Sequence, residues 1–186
     1  NPHNKQPWII RLTGPSSFNL YVDRDRLLPE TDPVYRQIHI GQGTFLETLA
    51  IAAGGLGYKA KIDYFPEGMY GNTELLEKPI ASVELIQKPG ITKDPLFSAL
   101  LLRHSNKREY DHYRLSTAEL NSLRDAHQQQ SGYKLSIIDS PTDKARMVKV
   151  LTKAMQIEVG NIQRDKETIE MFRFNDEEAI KYRDGF

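Results

Sequence analysis

Residues 8–22 read Trp8-Ile9-Ile10-Arg11-Leu12-Thr13-Gly14-Pro15-Ser16-Ser17-Phe18-Asn19-Leu20-Tyr21-Val22. Two runs rich in β-branched and aromatic residues flank a Gly-Pro-Ser-Ser turn, and the second run alternates in character. The pattern predicts a β-hairpin. Downstream, Asp32-Pro33 is a helix-start signal, an acid at the cap and proline at the first helical position. Val34, Ile38, Phe45, Leu49, Ala52 and Leu56 recur at about three and a half residues, with Leu46, Ala50 and Ile51 on other faces. A helix apolar on most sides is a central, buried one, and Gly54, Gly55 and Gly57 end it. Residues 60–65 and 82–87 read as further strands.

A second stretch of structure is predicted from about residue 90. Asp94-Pro95 opens a helix through about Leu102, and residues 103–113 are polar and loop-like. Ser116-Thr117-Ala118-Glu119 is a capping box, continued by Leu120, Leu123 and His127. Residues 133–138 read as a strand. Ser140-Pro141-Thr142-Asp143 then opens a helix carrying Met147, Val148, Leu151, Met155 and Val159, and the charged tail is helical to about Phe174. Strands and helices mixed without strict alternation place the chain in the α+β class rather than in a doubly wound α/β sheet.

The 186 residues suffice for one large domain or two small ones. With 25 acidic and 25 basic side chains the net charge is zero, which argues against a nucleic-acid or polyanion partner. The absence of cysteine excludes disulfides, thiolate metal sites and a cysteine nucleophile. The five histidines show no paired ligand spacing, so no metal is expected. His39, His112 and His127 have no serine or carboxylate partner at a telling spacing and read as structural or solvent-facing. Glu177-Glu178 reads as a solvated helical face. The longest apolar stretch, residues 45–58, is interrupted by Glu47 and by glycines, so no membrane span is expected. No signal peptide is visible at the start.

Two segments carry candidate chemistry. Pro2-His3-Asn4-Lys5-Gln6-Pro7-Trp8 precedes the first strand. Taken alone it reads first as an ordinary polar loop beside a buried tryptophan. Physically it is also a rigid loop presenting two side-chain amides, which both donate and accept and so suit the polar edge of a ring. Arg103-His104-Ser105-Asn106-Lys107-Arg108 gathers cations and a hydroxyl, the makings of a phosphate cradle. Taken alone it reads equally as a solvated basic loop after a helix C-terminus.

Together the segments resemble the nitroreductase family. Pro-x-x-Asn-x-Gln-Pro-Trp before a strand looks like that family's flavin-contacting loop. Arg103-His104-Ser105-x-Lys107, followed by Tyr110-Asp111 and a helix, looks like its N-terminal phosphate and flavin loop. In ordinary members the Arg-loop comes first; here the order is reversed, with about a hundred residues between them. That reversal is similar to the tandem-duplicated Acg-type nitroreductases, in which one chain imitates the family's homodimer. The resemblance implies two related half-domains, residues 1–90 and 91–186, each truncated at its outer end. The second half has only Ser131-Gly132-Tyr133-Lys134 where its own Asn-loop belongs, which implies one flavin per duplicated unit.

The resemblance further implies FMN as cofactor. Pro2, Asn4 and Gln6 would contact its ring, while Arg103, His104 and Ser105 would hold phosphate and ribityl chain. Lys107 would lie at the pyrimidine edge, where a positive charge favours the reduced form. Arg108 has no assured counterpart. The two loops are expected to border one cleft, within a chain or between neighbouring chains, and further oligomerisation is compatible with this layout. The implied activity is oxidoreduction, with NAD(P)H as donor and a small nitroaromatic, quinone or similar acceptor. No side chain is assigned as catalytic acid or base. The competing expectation is an FMN-sequestering protein without turnover, its lid formed by residues 67–79. Cytoplasmic location and twin-arginine export both remain open, since some relatives carry such signals.

Overall fold

β1 (Trp8–Gly14) and β2 (Ser17–Val22) form the predicted hairpin, antiparallel, with Trp8 opposite Val22, Ile10 opposite Leu20 and Leu12 opposite Phe18. The computed structural model describes residues 3–71, 75, 77–106, 108–111, 113–128 and 134–185. β3 (Tyr58–Tyr64) and β4 (Ala81–Gln87) complete a four-stranded sheet in the order β1-β2-β4-β3, every neighbouring pair antiparallel. With its helices this is the expected α+β class.

Strand alternation gives the sheet two chemically different faces. On one, Phe18, Leu20, Ala81 and Val83 are buried together with Leu46 of α1 (Arg36–Gly55), and Trp8, Phe45, Leu49, Ile62 and Leu85 pack around them. On the other, the Arg11 guanidinium lies 4.5 Å from the centre of the Tyr21 ring, and the Ser82 hydroxyl donates to Asn19 Oδ1 at 2.6 Å. Lys61 and Glu84 form a loose pair on that solvated face. A second cluster, Val22, Ile38, Leu75 and Ile80, is bordered by Leu27, Tyr35, Phe65 and Tyr70. At edge strand β1 the apolar face extends past the cover of α1, and Leu12 is 81% exposed.

α1 begins later than Asp32-Pro33 predicts. Its N-cap is Tyr35, in a left-handed conformation (φ 51°) and without a side-chain cap. Asp32, buried, instead accepts the backbone N–H of Ile38 at 2.9 Å, capping the helix from outside it. The Asp32 carbonyl also accepts Tyr35 N–H at 2.9 Å. The acid thus does the predicted chemistry from a turn upstream. At the other end Leu56 is the C-cap, and Gly57, at φ 86°, reverses the chain into β3 where a side chain would be strained.

The chain packs as two units, Asn1–His104 with Glu158–Phe186, and Ser105–Ile157. In the first, the expected helix after Asp94-Pro95 is a short 3₁₀ turn, Pro95–Ala99, with Asp94 accepting Leu96 N–H at 2.7 Å. α4 (Ile162–Ile169) docks beside the start of α1. Its Glu167 accepts backbone N–H groups of Glu30 (3.3 Å) and Thr31 (2.8 Å) and the Thr31 hydroxyl. α5 (Asp176–Tyr182) closes this unit.

The second unit carries α2 (Thr117–Gln128) and all but the last two residues of α3 (Pro141–Val159). The capping box is present: Glu119 accepts Ser116 N–H at 2.7 Å, and Ser116 Oγ accepts Glu119 N–H at 3.3 Å. The Ser116 N–H, the Ser116 hydroxyl and the Tyr113 hydroxyl, all donating to it, hold the Glu119 carboxyl below the usual carboxylate range. Residues 134–138 are not a strand, contrary to the sequence reading. Their composition suits β-structure, but a strand needs a neighbour to take its backbone hydrogen bonds. Among the described residues the sheet pairs only β1 to β4. Met147, Val148, Leu151, Met155 and Val159 of α3 are exposed.

Candidate functional site

The loop before β1 is fixed in an unusual shape. Asn4 and Gln6 both lie in the left-handed region (φ 47° and 48°), which costs on the order of 1–2 kcal/mol for each side-chain-bearing residue. Such a backbone persists only when its surroundings over-determine it, and here they do. The Lys5 carbonyl accepts from Arg26 Nη1 at 2.9 Å, and the Pro7 carbonyl from Gln42 Nε2 at 2.9 Å. Trp8 N–H donates to the Gln6 carbonyl at 2.8 Å. Gln6 Nε2 donates to the Arg183 carbonyl at 2.7 Å and lies 3.3 Å from Asn4 Oδ1. Pro7 is fully buried, and Trp8 packs on Phe45 with ring centres 4.7 Å apart. The two amides of the motif are therefore brought together. Pro2 lies outside the described residues.

Gln42 was not singled out in the sequence, although its spacing gives it away. It follows Ile38 by four residues and precedes Leu46 by four, so a polar side chain occupies the apolar stripe of α1. It is fully buried, and its Oε1, like Trp8 Nε1, has no hydrogen-bond partner among the described residues. Arg26 and the 183–185 turn were likewise missed, because nothing local in the sequence marks them.

A cavity of about 530 Å³ opens beside this loop, at the start of α1. Its apolar wall includes Leu28, Val34, Ile38 and Gly41, and its polar lining includes His3, Arg36 and Arg164. Two acids at the cavity are already engaged: Asp32 caps Ile38, and Glu158 pairs with Arg164 Nη1 at 2.8 Å. His3 joins the cavity to the motif loop. Asn4, Gln6, Arg103 and His104 stand outside the cavity's described lining.

The Arg-loop follows the 3₁₀ turn. Arg103 N–H donates to the Ala99 carbonyl at 2.9 Å, while the residue is exposed and its guanidinium forms no ion pair among the described residues. His104 Nδ1 lies 3.2 Å from the Leu102 carbonyl. Ser105 is exposed and begins the second unit, and Lys107 lies outside the described residues. Asn106 Oδ1 accepts Arg108 N–H at 3.0 Å, an Asx turn that shapes the loop locally.

Over 65 residues the chain is 37% identical to a protein named "Putative NAD(P)H nitroreductase" in two strains of Mycobacterium tuberculosis. The likeness supports a nitroreductase relationship. The match takes in 35% of this chain and 19% of each of those proteins, so the chain spans only about a fifth of the length of these relatives. No protein-family model matches the chain. The four-stranded sheet with its helices is compatible with a nitroreductase-like fold. Among the described residues no helix is long and apolar enough to cross a membrane.

Proposed function

We propose that the chain belongs to an FMN-dependent oxidoreductase of nitroreductase type, taking hydride from NAD(P)H and passing electrons to a nitroaromatic, quinone or similar acceptor. The observation that carries this reading is the motif loop, whose two amides are held side by side on a backbone that the fold keeps in a high-energy shape. The donor set fits the cofactor. With Gln6 Nε2 occupied by the Arg183 carbonyl, Gln6 Oε1 is the acceptor the loop has left to offer, and Asn4 Nδ2 is a donor. That pairing suits a ring edge on which N–H and C=O groups alternate. The exposed Arg103 guanidinium suits a phosphate, with His104 beside it. Pro2, Ser105 and Lys107 enter the set from the motif alone. Bound FMN supplies the redox chemistry; the chain's residues bind and orient it.

The division into related halves, residues 1–90 and 91–186, is part of the same proposal. It rests on the reversed order of the two loops, since residues 134–138 do not supply the matching strand. The test is an absorbance spectrum of the protein loaded with FMN, before and after anaerobic addition of NADPH or NADH. Retained flavin that bleaches supports the oxidoreductase. Retained flavin that does not bleach replaces it with the sequestering protein, and failure to retain FMN refutes both.

A further inference from the structure

We propose that Asp184 and Arg26 are positioning residues for the loop that carries Asn4 and Gln6, the 183–185 turn setting the loop's shape from the far end of the chain. The inference rests on the flavin reading for its ligand but not for its geometry. The two grips on the middle of the loop, at Lys5 and Gln6, both lead to this turn. Arg26 Nη1 donates to the Lys5 carbonyl and lies 3.7 Å from Asp184 Oδ2. Gln6 Nε2 donates to the carbonyl of Arg183, the residue next to Asp184. Asp184 is itself fixed by Arg173, whose Nη2 lies 2.5 Å from Oδ1, and their side chains are 17% and 12% exposed. One carboxylate therefore holds two guanidinium groups, and one of these holds the loop.

The turn is built for this placement. Arg183 closes α5 in a left-handed conformation, φ 53°, and Gly185 follows at φ 75°. A Cβ on Gly185 would drive into the Met171 carbonyl and the Arg173 guanidinium, so only glycine lets the turn fold this closely. Arg173 also lies 4.9 Å from the centre of the Tyr182 ring, which ties α5 to the same anchor. Arg26 also pairs with Asp23, whose Oδ2 lies 3.4 Å from its Nε, so removing the Asp184 charge leaves it held by Asp23 alone and loosens its grip on Lys5. The Gln6 amide then loses the fixed orientation in which Oε1 is the acceptor on offer.

The test uses the full chain with Asp184→Asn, Asp184→Glu and Gly185→Ala, and Ile62→Val as a core control. Two quantities are read: FMN affinity by quenching of flavin fluorescence, and hydrogen exchange of the Trp8 amide without ligand. Asp184→Asn and Gly185→Ala should each weaken FMN binding about tenfold or more and speed Trp8 exchange. Asp184→Glu, which keeps the charge, should recover part of both. Ile62→Val should lower the melting temperature while leaving FMN affinity unchanged. Unchanged affinity in Asp184→Asn, or an affinity that merely follows melting temperature across all four variants, overturns the proposal. If the parent protein binds no FMN, the flavin reading fails separately and Trp8 exchange alone decides: equal rates in parent and Asp184→Asn refute the positioning role.

Discussion

Replacing Asp32 tests how a central helix is started without a cap residue of its own. Asp32→Ala removes the acceptor of the Ile38 N–H, a bond of 2.9 Å made by a side chain that is 5% exposed. Leaving a buried donor unpaired costs ~1–3 kcal/mol, and lost N-caps cost ~0.5–2 kcal/mol. Both figures describe the same bond, so they overlap rather than add, and the expected loss is about 2 kcal/mol. For a chain of this size that lowers the melting temperature by roughly 4–8 °C. Asp32→Asn keeps an oxygen acceptor but gives up the charge, whose interaction with the helix N-terminus is worth ~0.3–1 kcal/mol. It should therefore lose at most about half as much. The assay is urea unfolding followed by the fluorescence of Trp8, the sole tryptophan, with thermal melts by circular dichroism. Equal losses for Ala and Asn, or an Ala variant within about 0.5 kcal/mol of the parent, would refute Asp32 as the cap of α1.

Arg103→Ala should weaken FMN binding about ten- to a hundredfold while Arg108→Ala changes it little, since only Arg103 matches the phosphate contact the motif implies. Equal dissociation constants by flavin fluorescence would remove Arg103 from the site. Of the nine tyrosines, Tyr70 should titrate last: burial pushes its hydroxyl up to about 12, with Phe65 edge-on at 5.5 Å. The raised value means its contribution to stability is complete below the unfolded value near 10 and is lost as pH rises through about 12. Ultraviolet titration of the parent against Tyr70→Phe checks this, and identical curves would contradict it.

The hairpin was legible because alternation in residues 18–22 reports directly which side chains face the core. α1 was legible from its apolar stripe, but its first residue was not. Tyr35 takes a left-handed conformation, so Asp32 caps the helix from outside, and no local pattern signals that. Residues 134–138 show the opposite failure, where β-forming composition is not enough without a strand to pair with. At the candidate site the motif loop could be read, since its two amides stand two residues apart in sequence. Its supports could not: Arg26, Gln42 and Asp184 come from three distant segments, and only Gln42, set in an apolar stripe, left a trace.

The helices also differ in what keeps them wound. α1 receives no side-chain hydrogen bond from its own cap residue, is capped by Asp32 from outside, and packs against the sheet. α2 and α3 start on reciprocal serine–acid boxes, Ser116 with Glu119 and Ser140 with Asp143, and bury no side chain among the described residues. Helices that bury little apolar surface are marginal and melt over a broad range of temperature, because most helical stability comes from packing of an apolar face. A helix held by a shared core melts with it, in one step. The candidate ring-binding loop belongs to the unit whose helix shares a core with the sheet, so it should keep its shape until that core melts.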